Sequence, residues 1–218
     1  MGGTDTVFAP NLSRGGPPDL SGHSGGDDLL LQGAPTRYRL DLSSLIFHPV
    51  IKYDKCAETH ENFTIPNSEA KHAAYLLKTL FKNAQSNIRI FTGHLFEDVY
   101  GDTALIEEAC NFLSKDSNNS VRIAYQEAID KDVIINSKFI QSIVNDEQKK
   151  GHIILWRANE KYSDFNNHFA VMDDKAFRFE LDHANTKAIA NFGDAANAEK
   201  LVTIFDRISK NSLLVLEK

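Results

Sequence analysis

Several features are scarce in this sequence of 218 residues, and each absence excludes a class of protein. Only two cysteines are present, Cys56 and Cys110, so neither a disulfide scaffold nor a cysteine-rich zinc site is expected. No apolar run approaches the roughly 20 residues that a membrane-spanning helix needs, and no signal segment opens the chain. The net charge of −6 argues against a generally basic nucleic-acid coat, although it does not exclude a local basic site. We therefore expect a cytoplasmic protein with no membrane partner.

Common catalytic and cofactor-binding motifs are missing as well. The eight histidines do not form a His-Glu-x-x-His pattern, and the chain has no Cys-x-x-Cys pair and no glycine-rich phosphate loop. We therefore predict neither a metal site nor a cofactor. Hydrophobic residues make up 42% of the chain and include 14 phenylalanines, which is enough for a real core.

Glycine and proline are concentrated at the front of the chain. Eight of the 12 glycines and four of the 6 prolines lie within residues 1–36. Such a segment has a high entropy cost of ordering and little apolar surface to bury. We expect residues 1–36 to be a flexible leader, whose Leu29–Leu31 run could dock on a partner protein in a larger complex. Residues 37–218 are expected to form one domain with its core at about 68–208.

The rest of the chain alternates between helical and extended patterns. Residues 37–42 and 45–51 read as short extended pieces without clear partners. The regular part is predicted to contain strands at Asn87–Phe91, Val121–Tyr125, Ile153–Trp156 and Ala188–Phe192. Pro66, Asn67 and Ser68 are predicted to open the first helix, and further helices are predicted to begin near Asp102, Ser137 and Asp194. This order predicts an α/β fold with a mixed, mostly parallel sheet.

A β-hairpin is predicted near the carboxyl end, with arms at His168–Met172 and Phe177–Leu181. Phe169 and Val171 share one face of the first arm, as Phe177 and Phe179 share one face of the second. Burying all four together requires an odd number of turn residues, because a shift of one residue exchanges the faces. Asp173, Asp174 and Lys175 satisfy this condition, and residue 174 or 175 is then expected to adopt a left-handed conformation.

The same register places polar residues on the opposite face of the hairpin. His168 lies opposite Glu180, and Arg178 lies opposite Ala170. One interpretation is a surface ion-pair cluster, in which each exposed pair contributes less than about 1 kcal/mol. The other is a phosphate site, in which Arg178 binds phosphoryl oxygens, His168 attacks or transfers a proton, and Glu180 orients the histidine.

From about residue 68 to 208 the sequence resembles one catalytic half of the phospholipase D superfamily. The resemblance rests on the order of elements, from the Ile88–His94 strand through the Val121–Tyr125 strand to the hairpin that begins at His168. The family motif is His-x-Lys, four residues and then Asp, followed by a Gly-Ser-x-Asn strand. Here His168 matches, but Ala170 replaces the Lys, Lys175 replaces the Asp, and the Gly-Ser pair is missing. Asn185 has roughly the spacing of the family Asn, and Asn191 lies on the next apolar run.

The resemblance implies a phospholipase D-like αβα sandwich and a particular chemistry. Two halves meet, one histidine attacks phosphorus, the other protonates the leaving oxygen, and no metal is required. A single-half protein would have to form a homodimer. Arg178 could take the place of the missing Lys and Glu180 that of the missing Asp. Because small members of the superfamily are often nucleases, the resemblance favours nucleic acid as the substrate.

Three further residues are candidate phosphate ligands. His94 and Tyr100 follow the first strand at its carboxyl end, where open α/β sheets bind ligands, and Asn191 is carried by the family resemblance. For His94, a loop histidine without a binding role is the competing interpretation.

Two functions remain open at this point. The first is a metal-independent phosphodiesterase or nuclease that acts on nucleic acid through His168. The second is a catalytically inactive relative that serves as a binding or assembly module in a larger complex. Ala170 and the leader favour the second interpretation.

Overall fold

The computed structural model describes residues 52–126, 129–182 and 187–218. The predicted leader at 1–36, the extended pieces at 37–42 and 45–51, and Asn185 lie outside these residues.

The described chain folds into helices and strands that alternate for most of its length. The helices are α1 (residues 52–59), α2 (Ala70–Asn83), α3 (Glu97–Tyr100), α4 (Thr103–Lys115), α5 (Lys131–Ile135), α6 (Lys138–Val144) and α7 (Ala195–Lys210). The strands are β1 (Ile65–Asn67), β2 (Asn87–Thr92), β3 (Ser120–Tyr125), β4 (His152–Arg157), β5 (Phe169–Met172), β6 (Ala176–Asp182), β7 (Lys187–Asn191) and β8 (Leu213–Glu217). Within the described ranges, no helix has the length and apolar character needed to cross a bilayer.

All eight strands form one mixed sheet in the order β1-β7-β6-β5-β2-β3-β4-β8. Parallel pairing is confined to β2 with β3 and β3 with β4. The other five pairings are antiparallel. The mixed α/β sheet is therefore confirmed, but its parallel part is smaller than the sequence predicts, because the hairpin and both edge strands add antiparallel neighbours.

Helices cover both faces of the sheet. On one face, α2, α4 and α6 bury their apolar stripes against β2, β3 and β4. On the other face, α7 packs against the hairpin phenylalanines and Phe91. The predicted αβα sandwich is therefore confirmed. A sheet that is apolar on both faces needs a helical layer on each side to bury its side chains.

The predicted helix starts near Asp102, Ser137 and Asp194 are confirmed, and each of these residues caps its helix. Asp102 accepts a hydrogen bond from the backbone N–H of Leu105, Ser137 from that of Ile140, and Asp194 from that of Asn197. Each cap satisfies a backbone donor that the first helical turn leaves without a partner.

The start of α2 is predicted incorrectly. Pro66 and Asn67 do not open a helix but belong to the edge strand β1, which pairs with β7, and α2 begins at Ala70. Proline is tolerated there because one side of an edge strand needs no backbone donor. The sequence prediction also misses α1 and β8, so both edge strands of the sheet lie outside the 68–208 stretch.

The hairpin register is confirmed in detail. Phe169 pairs with Phe179, Val171 with Phe177 and Ala170 with Arg178, and the backbone N–H of Glu180 donates to the carbonyl of His168 at 2.8 Å. The left-handed turn residue is Asp173, with a φ of 54°, rather than residue 174 or 175. The Asp173 side chain accepts hydrogen bonds from the backbone N–H groups of residues 85–87, and Asp tolerates the left-handed conformation better than most residues.

Candidate active site

The candidate site lies where β2 and β3 end and β5 begins. Thr92 is the last residue of β2 and Gly93 follows it, Gln126 follows β3, and His168 immediately precedes β5. In an open α/β sheet, ligands usually bind in the crevice outside the carboxyl ends of the parallel strands. The antiparallel hairpin brings His168 to the same edge.

His168 forms hydrogen bonds through both nitrogens of its ring. Its Nδ1 lies 3.2 Å from Oε2 of Glu180, and its Nε2 lies 3.2 Å from Oε1 of Gln126. The ring also packs edge-on against Phe91. The carboxylate of Glu180 therefore fixes the ring from one side and the Gln126 amide from the other.

Glu180 bridges His168 to a guanidinium group. Its other oxygen, Oε1, accepts a hydrogen bond of 3.0 Å from Nη1 of Arg178. Nε and Nη2 of Arg178 both donate to Oδ1 of Asn67, at 3.2 and 3.1 Å. Because Nδ2 of Asn67 donates to the carbonyl of Glu69, the amide is oriented with its oxygen toward Arg178. The result is a continuous polar chain from β1 to β3.

This chain is buried, which argues against a surface ion-pair cluster. The exposed fraction of the side chain is 8% for His168, 10% for Arg178 and 18% for Glu180. Charges held out of water cost free energy unless their partners compensate. A buried polar cluster at a binding edge is a candidate functional site, because hydrophobic packing does not need it.

Gln126 is anchored by three backbone carbonyl groups. Its Nε2 donates to the carbonyl oxygens of Tyr162, Ser163 and Phe165, at 3.1, 3.0 and 3.2 Å. These residues belong to the loop between β4 and β5. The amide therefore connects this loop to His168.

Gly93 provides the space that the ring occupies. A Cβ atom at this position would lie 3.0 Å from Cε1 of His168 and 3.2 Å from Oε1 of Gln126. Such contacts are tighter than ordinary van der Waals packing, so any larger residue would displace the ring or the amide. The glycine at the end of β2 thus allows His168 and Gln126 to meet.

A cavity of about 30 Å³ lies beside this network. It is lined by apolar residues together with His168, Arg178 and Glu180. A space of this size holds one or two water molecules. A phosphodiester would therefore need the cavity to widen.

Tyr100 lines the same cavity. Burial raises the pKa of its hydroxyl well above the usual value, an effect that Glu180 reinforces and that Arg178 and a hydrogen bond with Thr92 oppose. The hydroxyl is therefore protonated at neutral pH and retains its ability to donate a hydrogen bond.

The other two candidate ligands lie apart from this cluster. His94 is half-buried and its ring contacts Phe96, which lines the cavity, whereas His94 itself does not. Asn191 pairs with Phe177, so its side chain lies on the opposite face of the sheet from Arg178. Its Oδ1 accepts hydrogen bonds from the N–H groups of Gly193 and Asp194, which positions the start of α7.

The lysine that the family resemblance implies at position 170 has no replacement on β5. Ala170 is buried and offers no polar group. The side chain of Arg178, directly across the hairpin, lines the cavity instead. In the part of the chain that the structure describes, no three His, Cys, Asp or Glu side chains are grouped so that they could hold a metal ion.

Three residues of the cluster are not predicted as site residues from the sequence. Gln126 follows a strand at its carboxyl end, and the rule that selects His94 would also have selected it. Asn67 is hidden by its incorrect assignment to a helix start. The sequence around Gly93 indicates only the end of a strand, because no neighbouring residue shows that the ring of His168 packs against it.

The sequence matches no protein-family model and no curated protein, but the fold is similar to solved structures. TrmBL2, an archaeal chromatin protein that binds DNA, is 12% identical with a TM-score of 0.49, over 80% of this chain and 64% of its own length. Nuc, a phospholipase D family member from Salmonella typhimurium, is 15% identical with a TM-score of 0.47, over 71% of this chain and 99% of its own. NucT from Helicobacter pylori is 14% identical with a TM-score of 0.46, over the same shares. These likenesses concern the fold alone.

Proposed function

We propose that this domain binds a phosphodiester of nucleic acid and cleaves it through His168. The observation that carries the proposal is the buried chain Arg178–Glu180–His168 beside one cavity at the carboxyl edge of β2. A guanidinium group binds phosphoryl oxygens, and a histidine held by a carboxylate transfers protons or attacks phosphorus.

Arg178 is the proposed phosphate ligand. Its three hydrogen bonds to Asn67 and Glu180 use three of the five N–H groups that a guanidinium carries. The remaining two have no partner among the described residues, and the side chain lines the cavity. Arginine is well suited to this role because it stays charged and can bind two oxygens at once.

His168 and Glu180 are the proposed reacting pair. Glu180 holds Nδ1, which directs Nε2 as the nitrogen that reacts with phosphorus. When the N–P bond forms, the P–O bond to the leaving group breaks, and its electron pair takes a proton from a second His168 ring. That ring would come from a partner copy of the chain, so the proposal requires a homodimer.

Cleavage of DNA in the presence of a chelator tests this proposal. Wild-type protein is expected to cleave a labelled oligonucleotide, and His168→Ala should lower the rate by at least about 10²-fold. His152→Ala is a matched control, because His152 is exposed on β4. Equal rates for wild type and His168→Ala, at purity that excludes a contaminating nuclease, would contradict a reacting His168.

Binding measurements test the phosphate ligand. Arg178→Ala should weaken oligonucleotide binding by at least about tenfold, since hydrogen bonds to charged groups contribute roughly 1.5–3 kcal/mol. Arg207→Ala, at an exposed site on α7, is the matched control. Circular dichroism must show that both variants are folded. Equal affinity in folded Arg178→Ala would contradict the assigned role.

The homodimer is tested by sedimentation. A fully active monomer would contradict a site shared between two copies.

The second candidate function is a binding module that does not cleave. Ala170 in place of lysine favours it, as does the contact between Nε2 of His168 and Gln126. The same experiments separate the two functions. Nucleic acid that is bound but never cleaved, with affinity that depends on Arg178, would identify a non-cleaving module.

A further inference from the structure

Two acceptors face the ring of His168, one at each nitrogen. A neutral imidazole carries one N–H group, yet an acceptor faces each nitrogen, the Glu180 carboxylate at Nδ1 and the Gln126 carbonyl oxygen at Nε2. If the only proton were on Nδ1, the lone pair of Nε2 would face the lone pairs of Oε1 at 3.2 Å. The contact with Gln126 is favourable only when Nε2 carries a hydrogen.

The orientation of Gln126 is fixed by its other contacts. Its NH₂ group donates to three carbonyl oxygens of the β4–β5 loop. Turning the amide over would place its oxygen against these three acceptors and remove all three hydrogen bonds. The oxygen therefore faces His168 as an acceptor.

We propose that Gln126 is a positioning residue that keeps a hydrogen on Nε2 of His168 and so holds the site in a closed, non-nucleophilic state. This inference rests on the proposed function, because the lone pair of Nε2 is the one needed for bonding to phosphorus. Breaking the contact with Gln126 removes the acceptor that favours a hydrogen on Nε2. Since the same amide holds the carbonyl groups of Tyr162, Ser163 and Phe165, displacement of the β4–β5 loop and release of His168 are coupled.

Two substitutions separate the role of Gln126 as an acceptor from its role in holding the loop. Gln126→Lys provides an ammonium group with three donors for the loop carbonyls and no acceptor for His168. Gln126→Glu keeps an acceptor for His168 and removes the donors to the loop. Gln126→Met, which lacks both, is a second test of the acceptor if Gln126→Lys fails to fold.

The readout is the hydrogen on each ring nitrogen, measured by ¹⁵N NMR of the histidine side chains in the full chain. The signals of His168 are assigned from their loss in His168→Ala. Wild type and Gln126→Glu should show a hydrogen on Nε2, whereas Gln126→Lys and Gln126→Met should lose it. Gln141→Lys is the matched control, because the Gln141 side chain also donates to a backbone carbonyl, that of Ile135.

Either of two results would overturn the inference. One is an Nε2 without hydrogen in the wild type, and the other is an Nε2 that keeps its hydrogen in folded Gln126→Lys. Neither measurement requires cleavage or ligand. If the NMR result is as expected and no cleavage is found, the proposed function fails while the assignment of Gln126 stands.

Discussion

The two ends of the β5–β6 hairpin each hold a carboxylate among hydrogen-bond donors, but the donors differ in kind. At the turn, the Asp173 carboxylate accepts from the backbone N–H groups of Gln85, Ser86 and Asn87 and from the Ser86 hydroxyl, at 2.9–3.1 Å. At the open end, Glu180 accepts from the side chains of Arg178 and His168.

This difference separates a structural carboxylate from the one that we propose takes part in chemistry. The donors to Asp173 are neutral amide and hydroxyl groups that do not ionise near neutral pH, so this end serves to connect the turn to the start of β2. Glu180 faces a guanidinium and an imidazole beside a cavity, so its partners can bind an anion or transfer a proton. The sheet topology explains why Glu180 and not Asp173 lies at the candidate site, because only the open end of the hairpin is at the carboxyl edge of β2 and β3.

The largest effect is expected when Glu180 is removed. Glu180→Leu leaves the buried Arg178 without its carboxylate and should lower the free energy of unfolding by about 3 kcal/mol. The double variant Arg178→Met/Glu180→Leu should recover most of this loss, because it leaves no unpaired buried charge. Urea unfolding of wild type, Arg178→Met, Glu180→Leu and the double variant gives the coupling free energy between Arg178 and Glu180. If Glu180→Leu lowers the free energy of unfolding by less than about 1 kcal/mol, the Arg178–Glu180 pair behaves like an exposed ion pair. The contrast between Glu180 and Asp173 would then be wrong.

A smaller loss is expected at the turn. Asp173→Ala removes the acceptor for four donors and should cost about 2 kcal/mol. Asp173→Gly should cost less, because glycine adopts the φ of 54° without strain. Asp174→Ala, at the exposed neighbour, is the control and should stay within about 0.5 kcal/mol of wild type. Activity should not change in any folded variant, and a folded Asp173→Ala without activity would show that the turn is more than structural.

Gly93→Ala should have the smallest effect on stability and a clear effect on His168. The added methyl group crowds Cε1 of the ring and Oε1 of Gln126, which should cost about 1 kcal/mol. Thermal unfolding measures the cost, and the NMR signals of the His168 ring should change. Unchanged ring signals would mean that the contact of Gly93 with the ring does not position it.

The sequence predicts the hairpin far better than the cluster around it. Four apolar residues, Phe169, Val171, Phe177 and Phe179, set the register because one face had to be buried, and the pairing of Ala170 with Arg178 follows from that alone. The contacts of Gln126 depend on how the β4–β5 loop packs, which no local pattern encodes.

The burial of the cluster also could not be predicted from the sequence pattern. The alternation of the hairpin places His168 and Arg178 opposite the phenylalanines, but α2 and α3 cover that face through Leu77, Val99 and Tyr100. Only tertiary packing brings these helices to the site, so a buried network and an exposed ion pair were equally compatible with the residues.

The most direct test of the central claim, that the hairpin cluster is a phosphate site, is an NMR titration of ¹⁵N-histidine-labelled protein with a short single-stranded oligonucleotide. The ring signals of His168 are expected to shift in a saturable manner, while those of His152 stay in place. If the oligonucleotide binds, as followed by fluorescence anisotropy, and the His168 signals do not move, the claim is contradicted. Absence of any binding would contradict it as well.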